Sequence, residues 1–115
     1  MKPEGHKTKA DEIKESLQEL LPDPEGKHVV AVVELTYGIV QHLIAYGMET
    51  KYNKHSDTHV GLPRLLRSFN EDKAAGLFER LDSLRQGRWY GSRANGDVVK
   101  ECLEIIKQIE RWCAP

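Results

Sequence analysis

The chain has 115 residues, of which 39% are hydrophobic and 30% charged, and its net charge is −1. This balance is typical of a folded protein and excludes an intrinsically disordered chain. The length predicts one domain over residues 1–115. The longest unbroken apolar run falls far short of the roughly 20 residues that a membrane span needs, and the polar amino terminus lacks the apolar core of a secretion signal. We therefore expect a cytoplasmic protein with no membrane partner.

The first half of the sequence predicts two helices separated by a proline break. Over about 8–21 an isoleucine and three leucines recur at helical spacing, and Pro22 ends the pattern. The second helix is expected over about 24–48, with Asp23 as its N-cap and Pro24 at its first position. It is apolar on nearly every side, so we expect it at the centre of a bundle or shared with a second subunit.

The second half predicts three more helices and no strand. A polar loop over about 49–58 leads to a short helix over about 59–69, and Asn70 is expected to cap a further helix over about 71–89. The last helix is expected at Gly96–Cys113. Its apolar residues alternate at four- and three-residue steps: Val98, Cys102, Ile105, Ile109 and Trp112. The predicted fold class is therefore all-α, an up-and-down bundle of four to five helices.

Both cysteines are expected to be buried free thiols. Cys102 and Cys113 lie eleven residues apart in one predicted helix. At 1.5 Å per residue that spacing separates them by roughly 16 Å, too far for a disulfide. Small buried thiols are typical of a protein in a reducing compartment.

The histidines are not expected to bind a metal. His55 and His59 have the spacing of a metal-binding pair on a helix, but their neighbours are typical of a loop, and we interpret both as exposed or capping residues. His42 lies among apolar residues and is predicted to be partly buried and hydrogen-bonded. The sequence indicates no metal site and no cofactor, because it holds no glycine-rich phosphate loop and no nucleophile motif.

The most unusual stretch is Leu-Arg-Gln-Gly-Arg-Trp-Tyr-Gly-Ser-Arg at 84–93. Residues 51–93 carry nine basic and five acidic side chains, so this part of the chain is the most basic. Guanidinium groups beside aromatic rings can bind phosphates or unstacked RNA bases. Alternatively, the rings pack the helix end and the arginines cover it and face solvent. The candidate ligand-binding residues are Arg85, Arg88, Trp89, Tyr90 and Arg93.

Residues from about 24 to 112 resemble the HEPN superfamily of small helical-bundle domains. The resemblance depends on a long helix ending Leu-Ile-Ala-Tyr-Gly-Met at 43–48 and on His-Val-Gly-Leu-Pro-Arg-Leu-Leu at 59–66. It continues with a helix ending Leu-Asp-Ser-Leu-Arg at 81–85, then Trp-Tyr-Gly at 89–91 and a final amphipathic helix.

Many members of that family are ribonucleases with an arginine followed, a few positions later, by a histidine. Arg85 matches the arginine, but the position of the histidine holds Tyr90, and no histidine occurs after His59. A tyrosine, with a pKa near 10, is a poor general base at neutral pH. The candidate catalytic residues are therefore reduced to Arg85 and Tyr90, and the resemblance favours a protein that is not an enzyme.

Other members of the family lack the motif and act as dimeric partners of minimal nucleotidyltransferases, often in toxin–antitoxin pairs. In such dimers the arginine motifs of two subunits face a shared cleft, which here implies a homodimer with Arg85, Arg88 and Tyr90 in that cleft. The leading hypothesis is a non-catalytic HEPN-like homodimer that binds a nucleotidyltransferase-type partner or the phosphate of a nucleotide or RNA. The alternatives are a metal-independent ribonuclease with an altered motif and a plain protein-interaction bundle.

Overall fold

The protein is built from five helices in the part of the chain that the computed structural model describes, residues 2–55, 60–87 and 95–115. No strand occurs in those ranges. The prediction of an all-α bundle is confirmed. The helices are α1 (Pro3–Gln18), α2 (Val29–Tyr52), α3 (Leu62–Ser68), α4 (Asp72–Gln86) and α5 (Gly96–Cys113).

Helix α2 is the centre of the bundle. It packs against α1, α4 and α5, while the short α3 packs against α4. Its side chains are buried on several sides, as the apolar composition of the helix requires. The central position predicted for this helix is confirmed. Its fully buried members include Val32, Val33, Ile39, Val40, Ile44 and Met48.

The same helix is long and apolar enough to cross a membrane when only length and composition are considered. Its most apolar window has a mean hydropathy of 1.5, and 56% of that window is buried inside the fold. The core helix of a bundle has the same length and composition, so this property does not separate the two environments. The absence of a membrane partner stays a prediction.

The connection between α1 and α2 differs from the prediction. Asp23 does not cap α2; its buried carboxylate accepts hydrogen bonds of 2.8 Å from the backbone N–H groups of Lys27 and His28 and closes a turn. Gly26 lies in the left-handed region, with φ of 71°, and so prevents the helix from starting at Pro24. Helix α2 therefore begins five residues later than expected.

The other boundaries shift for local reasons. Helix α1 starts at Pro3 rather than near residue 8, because proline fits the first turn of a helix. Helix α2 continues through the first part of the predicted loop and ends at Asn53, which adopts the left-handed conformation of a helix C-cap. Helix α3 starts after the left-handed Gly61, and the N-cap of α4 is Glu71 rather than Asn70.

Helix α5 was predicted with its observed bounds. The Asn95 side chain caps it by accepting a hydrogen bond from the backbone N–H of Val98, at 3.2 Å. Four residues of the predicted seam are buried and Trp112 is partly buried. Both cysteines are free and buried, as predicted. Burial raises the pKa of the Cys102 thiol to about 11.

Candidate functional site at Arg85

Arg85 lies in the last turn of α4, where it reaches the surface of α2. Its Nε donates a hydrogen bond of 3.1 Å to Glu34. Its guanidinium carbon lies 4.3 Å from the centre of the Tyr37 ring, a cation–π distance. Glu34 and Tyr37 are three residues apart on α2 and so lie on one face of the helix. The arginine is therefore held in one position by two neighbours on α2.

This arginine borders a surface cleft of about 390 Å³ between α2, α4 and the start of α3. The Tyr37 and Phe78 rings pack together in the wall of the cleft, with ring centres 5.2 Å apart. Val60, Gly61 and Pro63 form the side nearest α3, and Glu79, Asp82 and Gln86 continue the α4 side. Of the candidate ligand-binding residues, Arg85 is thus the one that the structure places at a concave surface.

The described walls of the cleft are not cationic. Asp82 accepts a hydrogen bond of 2.9 Å from Gln86. Glu79 is bound by both terminal nitrogens of Arg67, at 2.7 and 2.8 Å. With Glu34 beside Arg85, three carboxylates lie in or next to this cleft. An anionic ligand here would meet carboxylates as well as Arg85. Arg88 and Arg93, which contribute to the basic stretch of the sequence, lie outside the described residues.

The titration properties of the pair keep Arg85 charged and Tyr37 neutral. The hydrogen bond that Arg85 donates to Glu34 raises the pKa of Arg85, and its guanidinium stays charged. Burial raises the pKa of Tyr37, and the negative charge of Asp82 adds to this effect. The phenol is therefore neutral near pH 7 and does not accept a proton at that pH.

One exposed valine borders this cleft, and another lies on the same face of α2 as Tyr37. Val60 borders the cleft and is 75% exposed, and Val30 is 48% exposed. Val30, Glu34 and Tyr37 follow one another at four- and three-residue steps, so they share one face of α2. We call Val30, Glu34, Tyr37, Val60 and Arg85 the cleft face. Val30 and Val60 are the two large hydrophobic side chains that are exposed in the described ranges.

Several residues singled out from the sequence lie elsewhere or outside the described ranges. Arg88, Trp89, Tyr90 and Arg93 belong to 88–94, and His59 belongs to 56–59; both segments lie outside the described residues.

The histidines that the structure describes behave as predicted. His55 is exposed and contacts the carboxylate of Glu49. His42 is partly buried, and its Nδ1 lies 2.9 Å from the Nδ1 of His6.

Sequence reasoning missed Glu34 and Tyr37 as site residues. Tyr37 was assigned to an apolar stripe, and it is indeed mostly buried, but its ring edge borders the cleft. The signal that could have identified this face was Glu34 itself. It is the one charged side chain between Val29 and Met48, apart from the titratable His42. A lone carboxylate in an otherwise apolar helix indicates a position that faces solvent, and in the structure Glu34 is exposed and pairs with the arginine at the end of α4.

Comparison of the chain with protein-family models, with curated proteins and with solved structures gives no match. The resemblance to the HEPN superfamily therefore stays a prediction.

Proposed function

We propose that the chain is a non-catalytic, HEPN-like homodimer in which the cleft faces of the two copies meet, and that the joint surface around Arg85 binds a protein partner of the nucleotidyltransferase type. The observation that carries this proposal is Arg85, which Glu34 and Tyr37 hold at the border of the cleft. An arginine beside an aromatic ring and exposed aliphatic side chains is typical of the centre of a protein interface.

The charge of the cleft favours a protein over a phosphate chain as the occupant. In the described cleft, Glu34 and Glu79 are paired with Arg85 and Arg67, and Asp82 is a third carboxylate, so the charges are mixed. A surface of mixed charge suits a protein, which offers both donors and acceptors, better than a chain of phosphates. The exposed Val30 and Val60 supply apolar contact area that a nucleic-acid backbone does not need. These features support a protein occupant, which for the dimer is a second copy of the chain.

The same residues argue against ribonuclease activity at Arg85. The described walls of the cleft contain no histidine, and the Tyr37 phenol stays neutral near pH 7. In the sequence, Tyr90 stands where the family's nucleases have histidine. A site without a base that titrates near neutral pH lacks the usual means of activating a ribose hydroxyl.

Phosphate binding is the second candidate function. It is favoured by the guanidinium of Arg85 over the Tyr37 ring and by the two further arginines and two aromatic residues within the next eight positions of the sequence. Such a site binds single-stranded RNA with strong salt dependence. The two candidates therefore differ in their response to RNA and to salt.

The dimer is tested by sedimentation equilibrium with Val60→Asp and with Gln18→Glu as the control. Both changes add one negative charge to an exposed position, but Gln18 lies on α1, which does not border the cleft. We expect the wild type and Gln18→Glu to be dimers and Val60→Asp to dissociate at least about tenfold more readily, because a charge replaces an interfacial side chain. A monomeric wild type at high concentration, or equal dissociation of the two variants, would contradict the proposed dimer.

The partner is tested by co-purification with a minimal nucleotidyltransferase encoded next to this chain's gene. Arg85→Ala is compared with Arg80→Ala, since Arg80 lies on the same helix and forms its ion pair with Glu101, away from the cleft. We expect Arg85→Ala to lose the partner and Arg80→Ala to retain it. Cleavage of RNA by the wild type that Arg85→Ala loses would instead establish the ribonuclease alternative. Salt-sensitive RNA binding without cleavage would establish the phosphate alternative.

A further inference from the structure

A pair of histidines joins the first two turns of α1 to the middle of α2. His6 is only 6% exposed, although it belongs to the second turn of the first helix, and its Nδ1 lies 2.9 Å from the Nδ1 of the partly buried His42. The two ring centres are 5.2 Å apart. The remainder of α1 is anchored differently, by the buried Ala10 and Leu17. The histidine contact thus belongs to the amino-terminal part of α1 alone.

The chemistry of imidazole makes this contact dependent on protons. A hydrogen bond between two Nδ1 atoms needs one nitrogen that carries a proton and one that does not. If both rings are protonated, each Nδ1 becomes a donor, and two positive charges face each other across the contact. The contact therefore exists only while at least one ring is neutral. Histidine is protonated as the pH falls through its titration range, so acidification breaks the contact.

The groups around the pair increase this sensitivity. Lys9 on α1 brings a positive charge toward His42, and the His55 ring, beyond the end of α2, lies with its centre 6.4 Å from that of His6. Glu49 on α2 is the carboxylate that contacts His55. Burial, together with the charges of His6 and Lys9, lowers the pKa of His42.

Within residues 2–55, 60–87 and 95–115, no three histidine, cysteine or acidic side chains are arranged to hold a metal ion. We propose that His6 and His42 form a proton-sensitive latch that holds the amino-terminal part of α1 on α2 at neutral pH and releases it when both rings are protonated. The opening is local, because Ala10 and Leu17 keep the second half of α1 in the core.

The sign of the effect follows from proton linkage. Because the pKa of His42 is lower in the folded protein than its ordinary value of 6.5, the unfolded or released state binds more protons below that pH. The latched state is thus fully stable above about pH 6.5 and loses stability as the pH falls from there toward the lowered pKa of His42. Carboxylates titrate at lower pH than histidine, so their effect on stability appears at a lower pH than the effect of the histidine pair.

The test is amide hydrogen exchange of the intact chain, corrected for intrinsic exchange rates, at about pH 7.5 and about pH 5.5. We expect the protection of residues 5–9 to fall severalfold at the lower pH, because protonation of both rings removes the contact between α1 and α2, while residues 13–18 keep theirs.

His42→Asn places an amide near the position of Nδ1 and does not titrate, so its protection should be the same at both pH values. If His42→Asn fails to fold, His42→Gln gives the same comparison, and His28→Asn, at an exposed position, is the control that should behave as the wild type. Equal pH dependence in wild type and His42→Asn would overturn the proposal. So would a gain in protection on addition of Zn²⁺ at neutral pH, which would assign the pair to a metal.

Discussion

The Trp112 ring of α5 lies directly against Gly47 of α2. A Cβ atom at Gly47 would meet two ring carbons at 2.5 and 2.8 Å and the Cβ of Cys113 at 3.1 Å. A flat, rigid ring cannot yield by that amount without moving the helix that carries it. The absence of a side chain at Gly47 thus sets how closely α2 and α5 approach.

The first prediction is that Gly47→Ala destabilises the protein. The added methyl group overpacks the contact between α2 and α5, which costs about 1–3 kcal/mol in the free energy of unfolding. Urea denaturation followed by circular dichroism measures this change. Gly76→Ala is the matched control, because Gly76 lies in α4 with no heavy atom within 4 Å of the added methyl. That substitution should stabilise the protein by about 0.5–1 kcal/mol through helix propensity. A loss of stability in both variants would show that the ring contact is not the cause.

The second prediction concerns the turn before α2. Asp23→Ala removes the acceptor of two backbone hydrogen bonds and leaves the N–H groups of Lys27 and His28 without it. We expect a loss of about 1–3 kcal/mol in the free energy of unfolding, the usual cost of removing the charged acceptor from two partly buried hydrogen bonds. The control is Asp11→Ala, which breaks an exposed ion pair with Lys7 and should change stability by less than about 1 kcal/mol. Thermal unfolding of the two variants side by side distinguishes the two costs.

The third prediction is acid sensitivity below the range of the histidines. The hydrogen bond from Arg80 lowers the pKa of Glu101, and the bonds from Arg67 lower that of Glu79. Between the ordinary value of 4.5 and the lowered one, the unfolded chain binds more protons than the folded chain. Stability should thus fall as the pH decreases below about 4.5. In Arg80→Gln, the fall measured between pH 4.5 and pH 3 should be smaller than in the wild type, and an unchanged fall would rule out the Glu101 pair as a contributor.

The fourth prediction is the order in which the thiols react. Burial raises the pKa of both thiols, that of Cys102 to about 11. Cys102 lies in the middle of α5, whereas Cys113 is the last residue of that helix, where its Sγ lies 3.6 Å from the carbonyl oxygen of Glu110. Helix ends open more often than helix centres. In native buffer, an alkylating reagent should modify Cys113 in the Cys102→Ala variant well before it modifies Cys102 in Cys113→Ala. Equal rates in both variants, matching the rate of global unfolding, would contradict local opening at the helix end.

The helices could be predicted because their apolar spacing is regular. The bounds of α5 followed from a seam that repeats through Cys102 and Ile109 and from a turn on either side. The start of α2 could not be derived in the same way, since Asp23 and Pro24 form a standard helix start and only the conformation of Gly26 cancels it. Whether a glycine adopts a left-handed conformation depends on its neighbours in space.

The candidate site could be predicted only in part, for a similar reason. Arg85 was identified from its basic and aromatic neighbours in sequence. Its two contacts, Glu34 and Tyr37, lie about fifty positions earlier and meet it only through the packing of α4 on α2. The carboxylates in and beside the cleft are brought together by the same packing of helices.

The close approach of two turns has a consequence for finding relatives of this chain. A Cβ atom at Gly26 would overlap the backbone of Asn95, and a Cβ atom at Gly96 would overlap the backbone of Pro24. Leucine, isoleucine and valine can exchange in the core with modest repacking, but a backbone overlap has no such remedy. Divergent descendants of a common ancestor should therefore vary at most apolar sites and retain this pair of glycines. A sequence profile that gives most weight to Gly26 and Gly96 should therefore detect such relatives more specifically than a profile that gives most weight to the apolar positions.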